Sequence, residues 1–175
     1  MLKVCPYIPL PEFPVFFQRN IAVSTCSALN NFSANYVTPM KAEFNDKLTK
    51  LVGRKKSNSV YLINSQRYQD FIKEVKAIKN KYNKNFEDYK MLANYDVIDI
   101  NGRERMIQPR NEVNYSIKFY VPIEELFGVL HTIHLLFKHA NKDIMEAELK
   151  TKFCNISKEV IKIYLTCCKT CNEKK

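Results

Sequence analysis

LHTIHLLFKHANKDIMEAELKTKFCNISKEVIKIYLTCCKTCNEKK, Leu130–Lys175, is the stretch on which the reading of this chain turns. It spells H-x4-H at His134 and His139, then 28 residues, then C-x2-C at Cys168 and Cys171. Two nitrogen and two sulfur donors make a closed tetrahedral shell, the chemistry of one structural zinc ion. Cys168 and Cys171 are three apart and share a face at the end of a helix. His134 and His139 are five apart, about 140° apart on a continuous helix, and could not grip one ion that way. The helix is therefore expected to end near Phe137, with the turn swinging His139 back. Asn141 tolerates left-handed backbone and makes such a break credible. Two other pairings stay open: His131 with His134, and Cys167 with Cys171. His139 is preferred because pairing through His131 leaves His139 unexplained.

The segment around these donors reads as three helices. Pro122 suits the first position of a helix, with Glu124 and Glu125 at its positive end. Ile123, Leu126, Phe127, Leu130 and Ile133 form its buried stripe. Asp143 and Glu146 look like a capping box for a helix running to about Phe153. Ser157 caps the last helix, on which Val160, Ile161, Tyr164, Leu165 and Cys168 face one way.

Upstream, the pattern changes. Lys41–Val52 fits a helix with Met40, Phe44, Leu48 and Leu51 on one stripe. Gly53–Asn58 is a basic loop. Gln66–Tyr82 carries the best helical pattern, with Tyr68, Phe71, Ile72, Val75, Ile78 and Tyr82 on one face, and Ser65 can cap it. Its outer face carries Arg67, Lys73, Lys76, Lys79 and Lys81. A short helix fits Phe86–Ala93. Asn101-Gly102 lies between two β-like runs, Tyr95–Ile100 and Arg103–Ile107. Both residues tolerate positive φ, so a type I′ hairpin is predicted. Ser116–Val121 alternates as a third strand, with Ile117, Phe119 and Val121 inward and Tyr120 outward. Residues 1–39 hold prolines at 6, 9, 11, 14 and 39 and a Ser/Asn-rich stretch from Ser24 to Asn35, and poor order is expected there.

The fold class is thus mostly α (α+β). A weakly ordered segment, 1–39, precedes a helical region with a small antiparallel sheet, 40–121, and a three-helix zinc-binding domain, 122–175.

Composition narrows the function. Of 175 residues, 28 are Lys or Arg against 18 Asp or Glu, a net charge of +10. The excess is concentrated: residues 41–90 carry +7, residues 91–137 carry −2 and residues 138–175 carry +4. The balance favours an anionic partner, nucleic acid first, while charge alone is accounted for equally well by solubility on solvated lysine helices. Candidate DNA contacts are Arg54, Lys55 and Lys56 in the basic loop, with Lys73 and Lys76 on the long helix. Lys150, Lys158 and Lys162, with Lys152 and Lys169, would assist from the C-terminal helices. No run of 18 apolar residues suggests a membrane span, and no secretory signal is legible. Six cysteines without an export signal point to thiols or metal rather than disulfides. Cys5, Cys26 and Cys154 have no ligand spacing. Asp96 and Asp99 read as hairpin surface charge rather than as metal-binding carboxylates.

On these residues the chain resembles a known family. Leu130–Lys175 resembles the HHCC zinc-binding N-terminal domain of retroviral and Gypsy-type integrases. KAEFNDKL, the Tyr68–Lys81 helix, YKMLANYDVIDINGRERMI and IKFYVPIEELFGVLHTIH resemble the region before that domain in integrases of Ginger-type transposons. They are also similar to integrase-derived KRAB-A domain-containing proteins. The resemblance spans roughly residues 40–175. It implies a zinc-stabilised three-helix unit that helps subunits multimerise and hold DNA, with His134, His139, Cys168 and Cys171 as ligands. The two-metal strand-transfer chemistry of integrases needs three carboxylates on a separate core after that unit. That core is absent from this chain, so no catalysis is expected. The function expected is DNA binding, without sequence preference, or multimerisation, in the nucleus or cytoplasm and not outside the cell. The rival is a protein-interaction adaptor whose zinc is purely structural. A transposon remnant without selected function is the third reading.

Overall fold

The structure, a computed structural model, describes residues 30–54, 62–110 and 116–173, with side chains from Val37 onward. In chain order the elements are α1 (Asn30–Arg54), α2 (Ser65–Asn80), α3 (Phe86–Asn94), β1 (Asp96–Ile100), β2 (Arg103–Ile107), α4 (Ile123–Leu136), α5 (Lys142–Lys152), α6 (Lys158–Cys167) and α7 (Lys169–Glu173). The protein is mostly α with one small antiparallel sheet, as its periodicities predict.

The larger core gathers α1, α4, α5 and α6. Leu126, Phe127, Leu130 and Ile133 of α4 meet Met145 and Leu149 of α5 and Val160, Ile161 and Tyr164 of α6. Phe44 and Leu48 of α1 complete it, 0% and 1% exposed. The helix begins at Asn30, ahead of the Lys41 start read from the sequence, and carries Pro39 inside it. A proline there forfeits one i→i−4 bond. Val37 and Met40, packed on the core, offset that loss. Residues 1–29, most of the segment expected to be poorly ordered, lie outside the described residues.

The smaller core lies between α2 and the hairpin: Ile63, Tyr68, Phe71, Ile72 and Met106. Asn64, not Ser65, caps α2, its Oδ1 accepting from the Arg67 N–H at 2.8 Å. The helix ends at Asn80, so Tyr82 falls off the predicted stripe and stands 97% exposed. β1 and β2 pair antiparallel from Asp96↔Ile107 to Ile100↔Arg103. Asn101 and Gly102 have φ of 53° and 78°, the two positive angles a type I′ turn requires.

The predicted third strand is not a strand. Phe119 instead makes isolated bridges, antiparallel to Ile107 and parallel to Phe153. Its neighbours do not follow strict alternation: Ile117 is exposed, while Tyr120 packs on the smaller core and Phe119 and Val121 on the larger. Phe119–Val121 run between two cores, so these residues have no solvent face to sustain a one-sided pattern. Buried Asn155 fixes its end, bracketing the Val121 peptide with bonds of 2.9 Å from the N–H and 2.8 Å to the carbonyl.

Polar bonds join the two halves at the first turn of α4. The Glu124 carboxylate accepts from the Ser65 N–H and hydroxyl at 2.9 and 2.7 Å. Glu125 accepts the Arg105 guanidinium at 3.1 and 2.9 Å. The Ile123 N–H donates to the Ile63 carbonyl at 2.8 Å.

Candidate metal centre

α4 has 14 residues, and His134 sits in its last turn, fully buried. The helix ends at Phe137, as the five-residue histidine spacing demands. Lys138 and His139 then adopt φ of 51° and 66°. These two, rather than Asn141, are the left-handed residues. The N–H groups of His139 and Ala140 both donate to the His134 carbonyl, at 2.8 and 3.2 Å. The doubled turn folds His139 back over His134, ring centroids 4.8 Å apart and nearly perpendicular at 89°. Asn141 instead caps α5, accepting from the Ile144 N–H at 3.0 Å. Asp143 and Glu146 do not form the capping box.

The sulfur donors arrive from the other side. α6 ends at Cys167, Cys168 is its C-cap, and Cys171 lies on the short α7. The Asn172 N–H donates to the Cys168 carbonyl at 3.1 Å, closing the turn between the two thiols.

One donor atom from each of the four residues lies within 4.8 Å of every other. His139 Nδ1 is 3.0 Å from His134 Nε2. The two sulfurs are each 3.3 Å from His134 Nε2 and 3.5 Å from His139 Nδ1. A tetrahedral shell with zinc bonds of about 2.05 Å to nitrogen and about 2.3 Å to sulfur has N···N edges of about 3.3 Å and N···S edges of about 3.6 Å. The observed edges are within about 0.3 Å of those values. The four donors could hold one metal ion, and their set and spacing suit a single zinc.

The surroundings prepare the ligands. His134 Nδ1 is 3.1 Å from the Ala140 carbonyl, so it carries the proton and leaves the Nε2 lone pair aimed at the centre. Burial, and then the neighbouring His139, hold the His134 imidazolium pKa down to about 4. Its ring meets the Tyr164 ring edge-on at 5.3 Å. Tyr164 is itself fully buried, and burial pushes its phenol far above its ordinary value.

The open alternatives resolve on position. His131 is not in the cluster; its Nδ1 lies 2.9 Å from the Tyr164 hydroxyl and its ring stacks on Phe127 at 5.3 Å. The Cys167 thiol donates to the Ile163 carbonyl at 3.3 Å and faces away. Cys154 is a half-buried thiol that burial raises to about 11. Cys5 and Cys26 lie outside the described residues, as do Lys55 and Lys56.

The remaining basic candidates are scattered. Arg54 is exposed at the end of α1. Lys76 pairs with Glu104, and Lys79 with Asp96. Lys150 and Lys158 both reach Glu146, at 2.6 and 2.9 Å, and hold its carboxyl down to about 2. Lys152 sits 3.6 Å from Glu148. Lys73, Lys162 and Lys169 have no ion-pair partner among the described residues. Asp96 also accepts from the Val97 N–H, and Asp99 from the Gly102 N–H, both local hairpin bonds. Sequence reasoning did not single out Asn155 as a structural residue. A lone Asn between two helices gives no periodic signal.

No family model matches the chain, and no solved structure matches it significantly. Among curated proteins, the human KRAB-A domain-containing protein 2 is 41% identical over 138 residues, 79% of this chain. That stretch covers 28% of the relative's length. Among the described residues, no helix is long and apolar enough to cross a membrane.

Proposed function

We propose that the chain is a non-catalytic, integrase-derived module that one structural zinc stabilises and that binds DNA or brings subunits together, in the nucleus. The convergence of His134, His139, Cys168 and Cys171 carries the reading. Four protein donors complete a tetrahedron and leave no position for a reactive water, which is the mark of structural rather than catalytic zinc. The net charge of +10 supports an anionic partner. The DNA contacts are Arg54, Lys55, Lys56, Lys73, Lys76, Lys150, Lys158 and Lys162, which would read phosphates rather than bases.

Metal analysis of purified protein tests the first half: about one zinc per chain is expected, and none would end the reading. Duplex binding across salt tests the second. Each phosphate neutralised steepens log K against log salt by about 0.9. Replacing Arg54, Lys55 and Lys56 with Gln should flatten that slope by about 2–3 units. A second reading, a protein-interaction adaptor, draws on the apolar side chains at the end of α4 and start of α5. Leu135, Leu136, Phe137 and Ile144 are 47%, 43%, 39% and 42% exposed. An unchanged slope and affinity in the Gln variant would favour it.

A further inference from the structure

The turn between α2 and α3 is held tightly yet turns its largest side chains outward. Lys84 Nζ donates to the carbonyls of Lys79 and Lys81 at 3.2 and 2.7 Å, closing the C-terminus of α2. Lys81 reaches Asp88. Asn85 and Asp88 form a reciprocal capping box at the start of α3, both bonds 2.8 Å. On this fixed frame Tyr82, Phe86 and Tyr89 are 97%, 78% and 61% exposed. Phe86 and Tyr89 are three apart on α3 and so lie on one face of it, opposite the buried Asp88. All three side chains are planar aromatics, whereas the exposed patch near the metal centre is mostly aliphatic.

The charge beside them is basic. Between residues 79 and 90 there are four lysines, Lys79, Lys81, Lys84 and Lys90, against Glu87 and Asp88, with Lys79 paired to Asp96 of β1. Asp88 is taken up within the turn, and Lys90 meets Glu87 only at 3.6 Å with both side chains exposed. Exposed rings interleaved with lysines match an anionic partner that offers flat π-faces. Duplex DNA hides its base faces in the stack, while a single strand presents them. We propose that Tyr82, Phe86 and Tyr89 form a stacking platform for single-stranded nucleic acid, with Lys90 reaching the backbone phosphates. This surface is separate from the duplex contacts proposed above.

The test uses the full zinc-loaded chain and two labelled probes, a 20-nucleotide oligo-dT and a 20-base-pair duplex, read by fluorescence anisotropy. The oligo-dT should bind the wild type and quench its tyrosine emission, which is readable because the chain has no tryptophan. Y82A/F86A/Y89A should weaken oligo-dT binding about tenfold per ring engaged and abolish the quenching. Its duplex affinity and melting temperature should stay unchanged, since the rings are exposed. Equal oligo-dT binding by the variant, or none by the wild type, overturns the platform whatever the duplex arm shows. A change in self-association of the variant, with oligo-dT binding intact, overturns it in favour of a protein contact. Absence of duplex binding alone counts against the duplex reading and not against this one.

Discussion

The two cores of this protein are built on different terms. The larger buries sixteen clustered residues, drawn from four helices and the segments that join them, and has the His/Cys tetrad at one end. The smaller buries five, between one helix and a hairpin, and leans on polar bonds to its neighbour. Apolar burial stabilises in proportion to area, so the smaller core has far less to draw on. The Tyr68 hydroxyl, the Arg105–Glu125 pair and the Ser65–Glu124 bonds supply what area does not. In the larger core the weak point is the C-terminal end of α6, where the five-residue α7 buries no side chain and could not hold its place through burial. The four donors converge there.

Metal removal probes that contrast hardest. Structural zinc in small domains contributes about 10–16 kcal/mol of apparent binding free energy at neutral pH. Chelation should therefore unfold α4–α7, and α1 with them, because Phe44 packs on Tyr164 and Phe127 at 6.1 and 5.7 Å. Hydrogen exchange should show residues 40–52 losing protection together with α6. Protection of α1 that survives chelation would place it with the smaller core instead. Acid should act through the same centre. In the metal-free protein the folded state holds His134 near 4, below the ordinary 6.5, so its neutral form contributes stability that is fully present above about pH 6.5. That contribution is lost as pH falls from there toward 4, and the melting temperature should drop across that window.

Phe44→Ala is next. Truncating a fully buried phenylalanine costs about 3–5 kcal/mol, and here the loss should appear in the melting of the larger core. Urea titration giving less than about 1 kcal/mol would mean that α1 is a loosely held accessory. Tyr68→Phe tests the other side. It strips the hydroxyl that accepts from the Met106 N–H at 2.9 Å, leaving a buried donor unpaired at a cost of about 1–3 kcal/mol. The hairpin should lose exchange protection while zinc content holds. The smallest effect is a gain. Lys138 sits at φ 51°, a conformation that costs a side-chain-bearing residue about 1–2 kcal/mol and glycine little. Lys138→Gly should raise stability by about 0.5–1 kcal/mol after glycine's extra unfolded-state entropy. A loss would show that the Lys138 side chain contributes to the turn.

Local physics was legible in the residues themselves. The stripe Tyr68–Val75 marks a helix face, and Asn101-Gly102 dictates a type I′ turn through the φ angles those two residues tolerate. The donors were legible too, because zinc chemistry restricts which residue types serve, and the five-residue gap alone required a helix break between His134 and His139.

Other features needed the assembled molecule. Periodicity could not choose His139 over His131; the left-handed pair Lys138–His139 and the Tyr164 hydroxyl that takes up His131 made the choice. Nor could it show that Pro39 lies inside a helix held by Val37 and Met40, or that Phe119 makes bridges rather than a strand. Which lysines are already paired, as Lys150 and Lys158 are with Glu146, was equally hidden. The division follows range. Backbone preference and amphipathic spacing act over a few residues and are written locally. Packing partners and ion pairs join residues far apart in the chain, so only the tertiary structure decides them.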